Sequence, residues 1–295
     1  MFKFAVARSS TSLCRKSWTT GLGHRFISNE PTHGEAYLRP VATHPGVAAL
    51  LLNRPASKNA ISTRLLKELT QCLEEVHYDN SIRVLILASS VPGSFCAGAD
   101  LIERRSMTQL QVSRFLIDLR DALGKLENLP MPTIAAIDGP ALGGGLELAL
   151  ACDLRVAGRT VAHIGLPETK LGIIPGAGGT QRATRLLGLA KAKDLIFTGR
   201  SLDALEAKEW GLLNYVADEG TTGMDRALVL AKQIAVNAPL ALRSAKLAIS
   251  RAPELALGTG LDFERAAYEP LLKSKDRTEA LQAFKEKRLP SFTGE

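Results

Sequence analysis

The sequence predicts a mixed α/β fold, and three observations carry that prediction. Apolar runs of strand length stand at Val47–Leu52, Val84–Ala88, Thr133–Ile137 and Leu154–Ala157. Amphipathic stretches with helical spacing lie between and after them. A glycine triplet, Gly143-Gly144-Gly145, follows the third run and opens a further helical stretch. Continuous apolar runs bounded by turn residues fit strands buried on both faces, and strand, glycine-rich loop and helix in that order is an α/β pattern.

Taken in order, a polar lead-in runs to about Pro45, and the first strand ends at Asn53-Arg54-Pro55. A helix follows, with Ser62 as its cap and Leu65, Leu66, Leu69, Cys72, Leu73 and Val76 on one face. The loop from Ser89 to Asp100 contains Pro92, Gly93 and Gly98, and one long amphipathic helix is expected after it, with Leu110, Phe115, Leu119, Leu123 and Leu126 inward until Pro130 stops it. Beyond Thr180 the pattern is mostly helical, so a core over residues 30–220 and a helical carboxy-terminal segment over 221–295 are expected.

The first 29 residues hold Lys3, Arg8, Arg15, Lys16 and Arg25, no acid, and many hydroxyl side chains, with Phe2, Phe4, Val6 and Leu13 for an apolar face. This predicts a mitochondrial transit peptide over residues 1–29. Without it, 32 basic residues face 30 acidic ones and the formal charge drops from +7 to +2, so the basic balance is no nucleic-acid footprint. Cys14, Cys72, Cys96 and Cys152 form no CxxC pair and no cluster with metal-ligand spacing; neither a disulfide scaffold nor a metal site is expected. No apolar run reaches the roughly 20 residues that span a bilayer, and no membrane association is expected.

Three segments can carry chemistry. The glycine triplet lets a ligand approach the backbone, and at a helix start its N–H groups have no intrahelical acceptor, which suits an anion or a developing oxyanion; a packing turn is the plainer alternative. Glu147, flanked by Leu146 and Leu148 and followed by Ala149-Leu150-Ala151-Cys152, is a carboxylate in an apolar helix, costly unless paired or used. Glu168, in Gly165-Leu166-Pro167-Glu168, reads alone as an ordinary surface acid; with Glu147 it becomes half of a pair able to deliver one proton and accept another. Phe95-Cys96-Ala97-Gly98-Ala99-Asp100 is either a plain strand-to-helix turn or a place where an N–H faces a ligand. The Gly176-Ala177-Gly178-Gly179 run lacks the G-x-G-x-x-G spacing because residue 181 is Gln, so no dinucleotide cofactor is indicated.

Together the Phe95–Asp100 loop, the Ile134–Asp153 segment and Gly165–Arg182 resemble the crotonase (enoyl-CoA hydratase/isomerase) family, in that family's order and over about residues 45–295. Within it, Glu147–Asp153, Glu168-Thr169-Lys170-Leu171 and the Lys275–Arg288 ending resemble the mitochondrial 3-methylglutaconyl-CoA hydratases, a group also described as AU-rich-RNA-binding. The resemblance implies a spiral of repeated ββα units with a carboxy-terminal helical trimerisation segment, and a hydro-lyase adding water across the 2,3-double bond of an enoyl-CoA, either 3-methylglutaconyl-CoA or a short-chain 2-enoyl-CoA. Alternatives are an enoyl-CoA isomerase or thioester hydrolase on the same scaffold, or a catalytically weak RNA-binding homologue. It further implies an oxyanion hole from the N–H groups of Ala99 and Gly144, and Glu147 and Glu168 as the catalytic acids. Substrate contacts are implied at Lys58, Ala60, Ala97, Asp100, Leu101, Gly143, Pro167 and Gly176, with Lys287 reaching the CoA phosphate of an adjacent subunit in a homotrimer or hexamer of the mitochondrial matrix. CoA enters as part of the substrate and no separate cofactor is implied. RNA binding is not expected, because Arg64 and Lys67 on the first helix are balanced by Glu68, Glu74 and Glu75. Two departures from the family stand out. Ile102 replaces a lysine that can meet the CoA nucleotide, leaving Arg104, Arg105 or Lys58 for that contact, and the glutamates are separated by 20 residues, one more than usual, which the turn at Gly158–Val161 is expected to absorb.

Overall fold

The structure is a computed structural model and describes residues 34–295; the predicted transit peptide lies outside the described residues. The chain opens with strand β1 (Ala36–Pro40), within the stretch expected to be only a polar lead-in, antiparallel to β2 (Val47–Leu52). Tyr37 and Leu38 alternate there with Arg39 and Pro40 following, too short a pattern to separate from loop. Helix α1 (Thr63–Tyr78) begins where Ser62 Oγ accepts from Leu65 N, and leads to β3 (Val84–Ser89).

The long helix expected next is two: α2 (Leu101–Arg105) and α3 (Gln109–Glu127). The break has a local cause, since Thr108 and Gln111 form a capping box that starts a new helix. Leu110 is consequently 80% exposed rather than inward. Strand β4 (Thr133–Ile137), the two-residue β5 (Ala141–Leu142), helix α4 (Gly144–Leu150), β6 (Leu154–Ala157) and the two-residue β7 (Ile164–Gly165) follow. Then come α5 (Gly179–Leu187), α6 (Leu189–Thr198), β8 (Ser201–Leu202), α7 (Ala204–Trp210), β9 (Tyr215–Val216), α8 (Gly223–Ala235), α9 (Pro239–Arg251), α10 (Leu257–Tyr268) and α11 (Lys275–Glu286).

The main sheet runs β1-β2-β3-β4-β6-β9, parallel apart from β1. Its strands are apolar on both faces because both faces are covered. Leu50 and Leu52, Leu85 and Leu87, Ala135 and Ile137 turn toward the core shared with α1 and α3. Their alternates Ala49 and Leu51, Val84 and Ile86, Ile134 and Ala136 meet Ala227, Leu230 and Ala231 of α8. A small second sheet, β5-β7-β8, lies where the candidate site forms.

Helices α9 and α10 bury no residue fully in the single chain. Helix α9 is held by Lys246, whose Nζ lies 2.8 Å from Asp153 Oδ2 and donates to the Met131 carbonyl at 3.0 Å. Asp153 in turn accepts from Thr133 N and Oγ1 at 2.7 and 2.9 Å.

Candidate active site

Two loops and one helix start build the site. The 54–61 loop is anchored by the buried Asn59, whose Nδ2 donates to Ser89 Oγ at 2.7 Å and to the Phe95 carbonyl at 2.9 Å. Lys58 and Asn59 there adopt left-handed φ values of 49° and 57°. The Phe95–Asp100 loop then zips onto it: Ala97 N donates to Lys58 O at 3.0 Å, Ile61 N to Gly98 O at 2.7 Å, and Asp100 N to Ile61 O at 3.1 Å. Between these committed amides, the Ala99 N–H finds no acceptor among the described residues.

On the other side Cys96 O accepts from Leu142 N, which brings β5 and the opening of α4 against the same loop. Gly144 is the first residue of α4, so its N–H has no intrahelical acceptor. A Cβ placed on Gly144 would lie 3.6 Å from Ala99 N, so the two free amides are neighbours. Gly98 makes that approach possible. It has φ +95°, and a side chain there would come within 2.8 Å of Leu142 O and 3.4 Å of Gly144 N.

The carboxylates reach this point by a two-rung ladder. Strand β5 pairs in parallel with β7, with Gly143 N donating to Gly165 O at 2.9 Å. Pro167 then starts a short 3-10 turn over Pro167–Leu171 whose second residue is Glu168. A Cβ on Gly143, at φ +53°, would meet Glu168 Oε1 at 2.9 Å, so glycine there leaves room for the acid. Glu147 sits one turn into α4, its N–H donating to Gly143 O at 2.9 Å. The register of β5 against β7 therefore sets both acids beside Gly143.

Their surroundings differ. Glu147, 2% exposed, accepts at Oε1 from Ala177 N at 2.8 Å and Gly179 N at 2.7 Å. Burial raises its pKa, while those two amides, then Arg182 and Arg104, pull it back toward the ionised form. Glu168, 8% exposed, has a buried Oε2 with no hydrogen-bond partner. Burial first, with the neighbouring Glu147 charge adding to it, pushes its pKa from an ordinary 4.5 up to about 7. Glu147 is gripped by two backbone amides that favour its ionised form against burial, while Glu168 lacks such a pair and is poised to carry a proton near neutrality, an asymmetry of the kind acid and base catalysis uses.

Of the other residues singled out from the sequence, Ala60 is buried and Ala97 exposed, on facing loops. Asp100 caps α2, accepting from Ile102 N and Glu103 N, and pairs with Arg54 at 2.7 Å, which together hold its carboxyl below the usual range. Leu101 and Gly176 are exposed near the two loops, while the Lys287 backbone caps α11 with a bond to Phe284 O. Sequence reasoning missed Ala177 and Gly179 as the donors that hold Glu147. The signal was present in the glycine run, which tightens the turn before α5. Of the three candidates for a nucleotide contact, Lys58 and Arg105 are exposed, whereas Arg104 turns inward with a buried Nε. No group of three His, Cys, Asp or Glu side chains that could hold a metal occurs among the described residues.

Residues 42–295 match the family model described as enoyl-CoA hydratase/isomerase. The chain belongs to the enoyl-CoA hydratase/isomerase family. Within this family it is 55% identical to the enoyl-CoA isomerase/hydratase fer4 of Mycosarcoma maydis, over 88% of this chain and 97% of the relative. It is 46% identical to the mitochondrial methylglutaconyl-CoA hydratase of Mus musculus, over 98% and 94%, and 50% identical to a probable mitochondrial enoyl-CoA hydratase 2 of Arabidopsis thaliana, over 91% and 89%. The solved enoyl-CoA hydratase of Bacillus anthracis superposes with a TM-score of 0.85 at 46% identity, over 88% of this chain and all of that one. The α/β architecture is that of the crotonase fold, and the chain is an enzyme of the enoyl-CoA hydratase kind.

Proposed function

We propose that this enzyme adds water to 3-methylglutaconyl-CoA, with Glu147 and Glu168 as its base and acid. The observation that carries the mechanism is the opposed setting of two adjoining buried carboxylates, one fixed by two backbone amides and one partnerless and raised to about 7. In this reading the thioester oxygen accepts from the N–H groups of Ala99 and Gly144. Glu147 takes a proton from a water held between the acids as the water oxygen bonds to C3. The electrons of the double bond shift toward C2 and the thioester oxygen, where the two amides stabilise the developing negative charge, each contributing about 3 to 4 kcal/mol in comparable sites. Glu168 then gives its proton to C2, and water has been added with no separate cofactor. An isomerase needs no activated water, so retention of Glu147 beside Glu168 favours hydration.

The substrate choice is supported by the similarity to the methylglutaconyl-CoA hydratase of Mus musculus, and a mitochondrial matrix location by the names of two relatives and the acid-free, basic amino terminus. A homotrimeric assembly through the carboxy-terminal helices is supported by exposed apolar side chains there, Phe284 at 86% and Leu289 at 90% among them. The test of the reaction is hydration of crotonyl-CoA and 3-methylglutaconyl-CoA side by side, by wild type, Glu147→Gln and Glu168→Gln. Turnover by wild type with loss in both variants is expected; near wild-type turnover in either variant refutes the carboxylate pair, and a preference for crotonyl-CoA refutes the substrate.

A further inference from the structure

Among the described residues, two buried side-chain polar atoms have no hydrogen-bond partner: Glu168 Oε2, already given a role, and Arg104 Nε. We propose that Arg104 recognises a second, distal carboxylate on the acyl group, so that the site selects dicarboxylic enoyl-CoA thioesters over neutral ones. The proposal rests on the hydratase reading above and names the residue that sets its substrate class.

The geometry places the guanidinium beside the reaction centre. Arg104 lies on α2, which Asp100 caps directly after the Ala99 amide. Its guanidinium carbon is 5.1 Å from the ring centroid of the buried Phe115 on α3. The next residue, Leu116, packs over the loop that holds Glu147, since a Cβ on Gly176 would strike Leu116 Cδ2 at 2.9 Å. Arg104 is thus bracketed by the loop with one oxyanion donor and the loop whose Ala177 and Gly179 amides grip Glu147. It is near enough to Glu147 for their charges to interact, yet makes no ion pair within 4 Å among the described residues.

The acids nearest to it along α2, and the Glu147 oxygen gripped by the loop, have other partners. Asp100 serves Arg54 and the α2 amides. Glu103 accepts from Thr63 N, and Glu147 Oε1 is bonded to the two loop amides. A partly desolvated cation whose Nε is buried without a partner is costly, and an aromatic face offsets only part of that cost. A carboxylate arriving with the substrate supplies the missing charge, and an arginine fork suits a planar carboxylate. In this proposal the acyl chain runs from the two acids toward Arg104. A carboxyl two carbons beyond C3 projects past the acids by about two bond lengths, in a site where Ile102 and Arg105 of the same helix face outward.

The test is calorimetric binding of glutaryl-CoA and valeryl-CoA, unreactive thioesters of equal chain length with and without the distal charge, to the full-length wild type, Arg104→Met and Arg104→Lys. Wild type should bind glutaryl-CoA more tightly. The ratio of the two affinities should fall about ten- to hundredfold in Arg104→Met, with part retained in Arg104→Lys, which keeps the charge. Using the ratio cancels any general effect on Glu147 or on folding, and Arg104→Lys provides the reading if Arg104→Met fails to fold. An unchanged ratio, equal weakening of both ligands, or no wild-type preference overturns the proposal. Crotonyl-CoA hydration by wild type separates the two claims: turnover without a glutaryl preference removes Arg104's role and leaves the hydratase, whereas an Arg104-dependent preference without turnover removes the hydratase reading.

Discussion

Replacing Glu168 by glutamine should make the enzyme nearly inactive and, above neutrality, more stable. The buried carboxyl has an ordinary pKa of 4.5 when the chain is unfolded and about 7 when folded. Between those values the folded protein binds more protons than the unfolded one, so stability falls as pH rises through the window, and the full cost of ionising the acid is present above it. At 1.36 kcal/mol per unit, that cost is about 3 kcal/mol. Glutamine cannot ionise and escapes it. The stability of Glu168→Gln relative to wild type should therefore grow by about 2 to 3 kcal/mol between pH 5 and pH 8, a relative rise in Tm of about 2 to 4 °C per kcal/mol for a chain of this size. Crotonyl-CoA hydration should drop about 10²- to 10⁴-fold, and the alkaline decline in wild-type kcat/KM near pH 7, where Glu168 loses its proton, should vanish from the residual activity. Denaturant melts at both pH values, with a pH-rate profile, read all three. A stability difference that stays constant with pH refutes the raised acid and, with it, the division of proton-transfer roles built on it.

Glu147→Gln should lose turnover on a similar scale while keeping its fold, because the glutamine carbonyl can still accept from Ala177 and Gly179; a melt and a crotonyl-CoA assay check both. Gly98→Ala should cost about 10²- to 10³-fold in kcat, since the added methyl would lie 2.8 Å from Leu142 O and wedge apart the Ala99 and Gly144 amides; kinetics with the variant's Tm in hand decide whether the effect is local. Lys246→Met should lower stability by about 1 to 3 kcal/mol by stripping Asp153 of its cation, with crotonyl-CoA turnover kept within a few-fold, which thermal melts and an activity assay measure.

Strands β2 and β3 were legible because each is a nearly continuous apolar run, and α1 because Ser62 and its helical stripe mark it unambiguously. Strand β1 was not, since it is an edge strand whose pattern breaks after two residues. The split between α2 and α3 was written in Thr108 and Gln111, but an apolar period running through the break concealed it. At the site, the residue types and their order were visible in the sequence, as was the need for Glu147 to be used. Its amide partners were harder to see, because a main-chain N–H leaves no side-chain signature. Likewise, the inward turn of Arg104 depends on Phe115, a neighbour supplied by another helix.

The two-rung pairing of β5 with β7 has a consequence for how such a chain can vary. Gly143 N is bonded to Gly165 O at the end of the ladder, three residues before Glu168, and Glu147 hangs from Gly143 by a single helical turn. The 20 residues strung between the acids finish α4, form β6, turn at Gly158, and return to the ladder as β7. A change of chain length between the glutamates therefore leaves their placement intact only if it is absorbed outside the hydrogen-bonded positions at the ladder, with Gly158–Val161 the turn nearest to hand.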